Sequence, residues 1–474
     1  MDAGTPSNHN TLTHRETMLV VLGVLLPVFM GSLDTTILAS ALPTIGREYG
    51  DINNLPWLVT AYLIANTSIT ALYGKISDIR GRRVTLLIAL SLYMLGSLVC
   101  ALAPNIFVLI LGRVLHGFGG GGLTSTGMVV LGDVAAPRDR GKYYGYFSIT
   151  YTTAGACGPA LGGAIAEYLH WSVIFWMNIP LGLIAMAMTL TLLRRLPRHD
   201  RPHRLDFIGA GLIMSASACF MLALSMGGVT YPWLSIMILS LFAVAFALGT
   251  AFVVRLRTAP EPLIPLTILR DREVRLAIAA NAFGWAPIIG LHIFLPIYLQ
   301  NIVGMQPASA GLSVLMLAVA LNTSAGITGT ILPAREHYKR IPIVGMVLAI
   351  VAVLTLAFRA HNASLVEFEI LIILIGCGFG TLPPLASTAL QNSVSIHTFG
   401  SAVATMQFSR NLFATMIVAV FGVLVLAGSA TPGAASQYSV EGFMRVFIAV
   451  AASFAIALTA VILLREKPLQ TTHV

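Results

Sequence analysis

Asp34, Arg113 and His116 are ionisable residues set in apolar stretches, GSLDTTILASALPTI and NIFVLILGRVLHGFGGGGLTSTGMVVLGDV. Arg113 and His116 are three residues apart, so on a helix they share a face. The Gly117, Gly119, Gly120, Gly121 and Gly122 that follow leave that helix slender. A charge in hydrocarbon needs a partner, and ionisable groups at such depth usually mark an ion or proton pathway. Asp34 is the carboxylate that this reading places well inside an apolar run. If the two stretches cross a bilayer in opposite directions, the charges lie nine and seven residues from the outer ends of their spans, roughly 10–14 Å at 1.5 Å per residue. The depths match, so an Asp34–Arg113 pair is expected. Its chemistry is proton uptake by a carboxylate held against a fixed cation; a purely structural buried ion pair is the other reading.

Little else in the chain suggests covalent chemistry. Cys100, Cys157, Cys219 and Cys377 all fall in apolar segments, with no disulfide framework and no metal-ligand spacing, and are read as small core residues. His199, Asp200 and His203 sit in an arginine-rich linker and are read as solvated. No nucleophile–base arrangement and no phosphate-cradling loop is visible. A membrane-integral enzyme is therefore a distant alternative.

The elements that must position these residues follow from composition. With 57% hydrophobic and 10% charged residues over 474 positions, the chain lies far outside the soluble range, where about a quarter of residues are charged. Runs of about 18–26 apolar residues qualify as membrane spans. Fourteen are counted: 17–43, 55–74, 84–103, 106–132, 143–166, 171–193, 207–226, 233–254, 274–299, 308–332, 341–358, 366–388, 400–427 and 442–464. The first run is too long for a cleaved leader and lacks a small-residue cleavage site, so it is expected to stay. Basic residues crowd alternate loops: Lys75, Arg80, Arg82 and Arg83; Arg138, Arg140 and Lys142; Arg194, Arg195, Arg198, Arg201 and Arg204; Arg255 to Arg275; Arg335, Lys339 and Arg340. The opposite loops hold chiefly Arg47 and Arg359, which predicts that both termini are cytoplasmic. The net charge of +9 then reflects topology and attraction to the lipid bilayer, with no nucleic-acid partner.

Basic loops recur between the second and third spans of each half, GKISDIRGRR at 74–83 and GTILPAREHYKR at 329–340. This divides the chain into an N-terminal six-helix bundle (1–193), linkers with two inserted helices (194–273) and a C-terminal six-helix bundle (274–474). The linker RRLPRHDRPHRLD at 194–206 is charged and proline-containing, which suits a flexible connection.

Five motifs then converge. Asp34, Thr36, Ala41, Leu42 and Pro43 form a first-helix signature; Gly74, Asp78, Gly81, Arg82 and Arg83 form a loop motif; Arg113, Gly117, Gly119, Gly120 and Gly121 a fourth-helix motif. Gly158, Pro159, Gly162 and Gly163 follow on the fifth span, and Trp171, Phe175, Asn178 and Pro180 at the start of the sixth. With these residues the chain resembles the major facilitator superfamily, specifically its fourteen-helix drug/proton antiporters. The resemblance implies an all-α polytopic membrane protein with two six-helix bundles and two inserted central helices. At 74–83, Gly74 and Gly81 allow a tight turn and Asp78 can cap a neighbouring helix or pair with an arginine, which suits a cytoplasmic gate latch that must break on opening; plain topological charge is the other reading. The resemblance implies an antiporter hinge at Gly158, Pro159, Gly162 and Gly163, although close helix packing alone would need the same glycines.

The departures narrow the expectation. The family usually has glutamine where this chain has His116, so a group with an ordinary pKa of about 6.5 replaces an amide. Either His116 is a second protonation site beside Arg113, or it is a neutral ring doing glutamine's packing. The usual asparagine of the first-helix signature is Ala39, and the usual Arg-Trp of the sixth is Ser172-Val173. In the C-terminal half no carboxylate lies deep in a span. The polar candidates for a substrate cavity there are Asn281, Trp285 and His292, then Asn322, then Gln407, Arg410 and Asn411, with Tyr151 from the N-terminal half. Acids in this half accompany dicationic substrates in the family, so their absence argues against a dication. Arg410 either meets an anionic substrate group or hydrogen-bonds carbonyls and polar neighbours where the halves meet.

The resemblance thus implies proton-coupled secondary active transport, exporting amphipathic or hydrophobic small molecules from a bacterial cell across its inner (plasma) membrane by alternating access. Export of an endogenous lipid or metabolite is the near alternative. A monomer with no metal and no cofactor beyond the proton gradient is expected, its partners being protons, an amphipathic small molecule and the bilayer.

Overall fold

The structure is a computed structural model that describes residues 14–50, 54–134, 140–195, 205–228, 230–264, 266–305, 307–332, 338–360, 364–394, 398–426 and 439–466. Seventeen α-helices are found among them. The first seven are α1 (His14–Tyr49), α2 (Leu55–Arg80), α3 (Arg82–Ala101), α4 (Ile106–Val134), α5 (Arg140–Tyr168), α6 (Val173–Trp176) and α7 (Asn178–Leu192). Then come α8 (Phe207–Met226), α9 (Ile236–Thr258) and the short α10 (Leu266–Arg270). The last seven are α11 (Arg272–Asn301), α12 (Pro307–Ile331), α13 (Arg340–Arg359), α14 (Leu365–Gly380), α15 (Leu382–Gln391), α16 (Phe399–Leu426) and α17 (Val440–Leu463). The basic residues Arg138, Arg198, Arg201, Arg204 and Arg335, with His199, Asp200 and His203, lie outside the described residues.

Twelve helical stretches among the described residues are long and apolar enough to cross a membrane. The expected fourteen included α2 and α5, of 26 and 29 residues, which are long but more polar. Asn66, Thr67, Ser68 and Thr70 dilute α2, and glycine and threonine dilute α5. Two expected spans are broken. The sixth breaks at Met177 between α6 and α7, three residues before Pro180, whose ring clashes with the carbonyl four residues back. The twelfth breaks at Thr381, where Pro383 and Pro384 fit the first turn of α15 and suit no other turn of a helix.

Two main sets of helices bury two sets of apolar side chains. Val21, Val28, Leu86, Tyr93, Leu131 and Phe147 are packed among α1, α3, α4 and α5. Ile288, Tyr298, Val353, Phe379, Phe443 and Phe454 are packed among α11, α13, α14 and α17. The sets meet along α2 and α16 and along α5 and α12. The α8–α9 hairpin packs on α2 and reaches α16, burying Ala71, Ala210, Phe252, Leu256 and Phe408 together. The remaining face of α9 presents Leu239, Phe246 and Val254 outward, as a lipid-facing helix does.

Candidate functional site

The slender part of α4 decides where Arg113 and His116 end up. A Cβ at Gly117 would strike the Tyr62 carbonyl of α2, and one at Gly119 would strike the backbone of Tyr93 on α3. Without those side chains α4 beds between α2 and α3, and the two polar residues one turn earlier are carried into the bundle. There Arg113 Nη1 donates to both oxygens of Asp34, at 2.9 and 2.8 Å. Arg113 Nε donates to the Leu58 carbonyl at 2.9 Å, and the guanidinium lies 4.3 Å from the Tyr62 ring centroid. Asp34, Arg113 and His116 are respectively 2%, 1% and 0% exposed, so the pair sits in a water-excluded site.

His116 is part of the same cluster. Its Nδ1 is 3.0 Å from Arg113 Nη1 and 3.5 Å from Asp34 Oδ1. Arg113 has only donors, so Nδ1 accepts in this arrangement and carries no proton. Its Nε2 is buried with no hydrogen-bond partner among the described residues. The ring lies 4.0 Å from Tyr93, 5.7 Å from Tyr62 and 6.1 Å from Phe175, centroid to centroid. Tyr62, Tyr93 and the Leu58 carbonyl carried no sequence signal of a role beyond ordinary core packing, whereas Phe175 belongs to the sixth-span motif.

The loop motif forms a second polar cluster where α2 and α16 meet. Asp78 accepts hydrogen bonds from the Gly400 amide at 2.9 Å, the Ser401 amide at 2.7 Å and the Ser401 hydroxyl at 2.7 Å. A carboxylate thus caps the positive N-terminal end of α16. On its other side Asp78 pairs with Arg82 Nη1 at 2.9 Å, while Arg82 Nε reaches Asp133 at the end of α4 at 2.6 Å. Asp133 was not singled out in the sequence; GDV in the last turn of α4 reads as an ordinary helix terminus until α3 is folded against it. Gly81 takes φ = 81°, so the turn between α2 and α3 needs glycine. Arg83 Nη2 donates to the Leu190 carbonyl of α7 at 3.0 Å.

Of the fifth-span motif, Gly158 faces Thr36 and Gly162 faces the Ile37 carbonyl, while Gly163 faces open space. The side chain of Pro159 lies outside the described residues. At the start of the sixth span the Trp171 indole donates to Glu48 at 2.6 Å and the Asn178 amide donates to Ser97 at 3.1 Å. These residues join α1, α3 and α7 and hold the wall behind His116.

Among the described residues, no hydrogen bond joins the cavity candidates of α11, α12 and α16 to one another across helices. Asn281 is buried, His292 Nδ1 donates to the Ile288 carbonyl at 2.8 Å, and Asn322 donates to the Ala318 carbonyl at 2.8 Å. The Gln407 carbonyl oxygen is buried with no partner among the described residues. Arg410, Asn411 and Trp285 do come together. Arg410 Nε donates to Asn411 Oδ1 at 3.2 Å, its guanidinium is 5.6 Å from the Trp285 ring, and Tyr151 of α5 lies within electrostatic range. Among the described residues no group of three or more His, Cys, Asp or Glu is placed to hold a metal ion.

Paired helical bundles with apolar outer faces and a buried ion pair define a multi-pass membrane protein. The chain belongs to the major facilitator superfamily, whose family model matches residues 24–418, and is a transporter, not an enzyme. It is 30% identical over 411 residues to the multidrug transporter protein MdtP of Bacillus subtilis (strain 168), covering 87% of this chain and 76% of that protein. It is 32% identical over 412 residues to the efflux pump dotC of Dothistroma septosporum, covering 85% and 70%. Its fold is similar to that of the human organic anion transporter MFSD10 (TETRAN), with a TM-score of 0.64, 16% identity, and 93% of this chain and 99% of that chain covered. It is also similar to the proton:xylose symporter XylE, with a TM-score of 0.65, 14% identity, and 94% and 95% covered.

Proposed function

We propose that this transporter is a proton-coupled exporter of amphipathic or hydrophobic small molecules that works by alternating access between its two six-helix bundles, residues 1–193 and 274–474. In this reading α2 and α5 also cross the bilayer, giving fourteen spans, and both termini face the cytoplasm of a bacterial cell. The observation that carries it is the Asp34–Arg113 pair, fully buried and joined by His116. The efflux relatives support the substrate class.

A proton on Asp34 removes the negative charge that holds Arg113 Nη1. Arg113 keeps its Leu58 carbonyl and Tyr62 face, so the cation stays put while α1 is released from α4. A proton on His116 Nδ1 would displace Arg113 and be shared with Asp34 Oδ1, so proton binding and pairing compete at one place. At the other end, Asp78 holds α16 against α2 and acts as a gate latch: rocking the bundles apart there breaks three hydrogen bonds and the contact with the helix end.

The test is flux in proteoliposomes under an imposed pH gradient, with cationic, neutral and anionic fluorescent amphiphiles as probes. Wild-type protein is expected to move at least one of them in a gradient-dependent way, and Asp34→Asn to lose that dependence. Gradient-driven flux that is unchanged in Asp34→Asn removes Asp34 from proton coupling.

A further inference from the structure

We infer that Arg410, together with Asn411, Trp285 and Tyr151, forms the head-group site of the substrate, and that this site takes an acidic amphiphile, one with a sulfonate, phosphate or carboxylate beside an aromatic or apolar body. The inference deepens the export reading above and rests on it for the direction of transport.

The location is set by the helices. Tyr151, Trp285 and Arg410 lie eleven, thirteen and eleven residues beyond the first residues of α5, α11 and α16, which run in the same direction in the fourteen-span reading. At 1.5 Å per residue all three are about 16–20 Å along their helices, in the middle of a bilayer of about 30 Å. Tyr151 belongs to the N-terminal bundle and the other two to the C-terminal bundle, so the site straddles the division between them. Arg410 is half-buried, in reach of a ligand entering there.

The charge balance points to the ligand's sign. Arginine keeps its charge under all ordinary conditions. Arg113 and Arg82 are matched to carboxylates by contact, but Arg410 has no acidic partner among the described residues. Asn411, Trp285 and Tyr151 are all uncharged at neutral pH, and none cancels its charge. A cation at this depth without a counter-charge is costly, which an arriving anion relieves. Geometry adds a preference for planar or tetrahedral oxyanions. Asn411 Oδ1 engages Nε, which fixes the guanidinium plane and leaves the two terminal nitrogens as a fork without protein partners among the described residues. Such a fork meets two oxygens of one group at once. Trp285 offers a flat apolar wall next to it, and Phe413, one turn beyond Arg410, packs edge-on to Phe283 with centroids 4.8 Å apart. The body of the ligand lies on these rings and its acid meets the fork.

The test uses the full chain in nanodiscs and a matched pair of fluorescent probes, anthracene-2-sulfonate and anthracene-2-sulfonamide, with empty nanodiscs subtracted. Wild-type protein should bind the sulfonate at least about tenfold more tightly, as two charge-assisted hydrogen bonds require. Arg410→Gln should bring the ratio of the two affinities close to one. Arg410→Lys, which keeps the charge and loses the fork, should give an intermediate ratio. A wild-type ratio of one or less overturns the inference, as does a sulfonate preference that survives Arg410→Gln. If the glutamine variant does not fold, the wild-type ratio and the lysine variant decide. Flux of both probes under a pH gradient is scored separately. Gradient-driven flux without sulfonate preference sinks the anion site alone, whereas an Arg410-dependent preference without gradient-driven flux of either probe keeps the site and sinks the export reading.

Discussion

Asp34 on α1 and Arg113 on α4 meet at 2.8 Å with both side chains sealed from solvent, and His116 Nδ1 accepts from the same guanidinium nitrogen at 3.0 Å. One nitrogen therefore serves three acceptor atoms on two side chains. Any proton that arrives must compete with that nitrogen for an acceptor.

Removing one partner of this pair should be worse than removing both. Arg113→Gln leaves a buried carboxylate without its cation and should destabilise the protein by about 3–5 kcal/mol, with Asp34→Asn of similar size. The double variant should recover much of the loss, because neither charge is left stranded. Chemical unfolding of the four proteins in one detergent checks this. Strict additivity would mean that the contact carries little coupling.

His116→Gln separates packing from titration. Glutamine can still accept from Arg113, and loses ring contacts with Tyr93, Tyr62 and Phe175 worth about 0.5–1.5 kcal/mol each. A modest fall in melting temperature is expected. If His116 takes a proton during the cycle, the flux profile of the wild type between about pH 5 and 8 changes shape in the variant. Superimposable profiles assign His116 to packing alone.

Gly74→Ala should pry open the end where α2 meets α16. The added methyl would strike Ala404 and the Gly400 carbonyl, and the backbone carbonyl cannot give way. Overpacking of this kind is worth about 1–3 kcal/mol against the closed arrangement. Asp78→Asn acts in the same direction by weakening the cap on α16. In an otherwise cysteine-free protein, maleimide labelling of Thr405→Cys reads this out, since Thr405 is only 4% exposed. Labelling should rise in both variants.

Adjacent glycines of α5 should respond oppositely. A methyl at Gly162 would drive into the Ile37 carbonyl of α1, while one at Gly163 would meet nothing. Gly162→Ala is expected to lower stability by about 1–3 kcal/mol. Gly163→Ala should be neutral or slightly stabilising, because alanine is the better helix former. Thermal unfolding of the two variants side by side is sufficient, and equal effects would mean that α1 and α5 are not locked at this register.

The sequence by itself determined the apolar spans, and with them the membrane, because a charge left in hydrocarbon is too costly to be frequent. It also placed Asp34 and Arg113 at one depth, since rise per residue is fixed once a helix is granted. The motifs of the first 182 residues pointed to the superfamily that the family model then identified. The runs that form α2 and α5 count as mainly apolar by composition, although their polar residues, Asn66, Thr67, Ser68 and Thr70 in α2 and threonine and glycine in α5, keep both out of the twelve most apolar helices. The breaks at Met177 and Thr381 were missed because apolar content continues through them.

Only the tertiary structure decided what each polar atom touches. Nothing in GKISDIRGRR says that Asp78 caps a helix beginning 321 residues later, at Phe399, or that Arg82 reaches across to Asp133. Those contacts depend on how helices distant in sequence are laid together. The same holds for Arg410. Its position in an apolar run was visible from the residues, but that no described residue gives it a counter-charge is a property of α5, α11 and α16 taken together. For His116 the acceptor role of Nδ1 comes from the rotamer in which α2, α3 and α4 trap the ring.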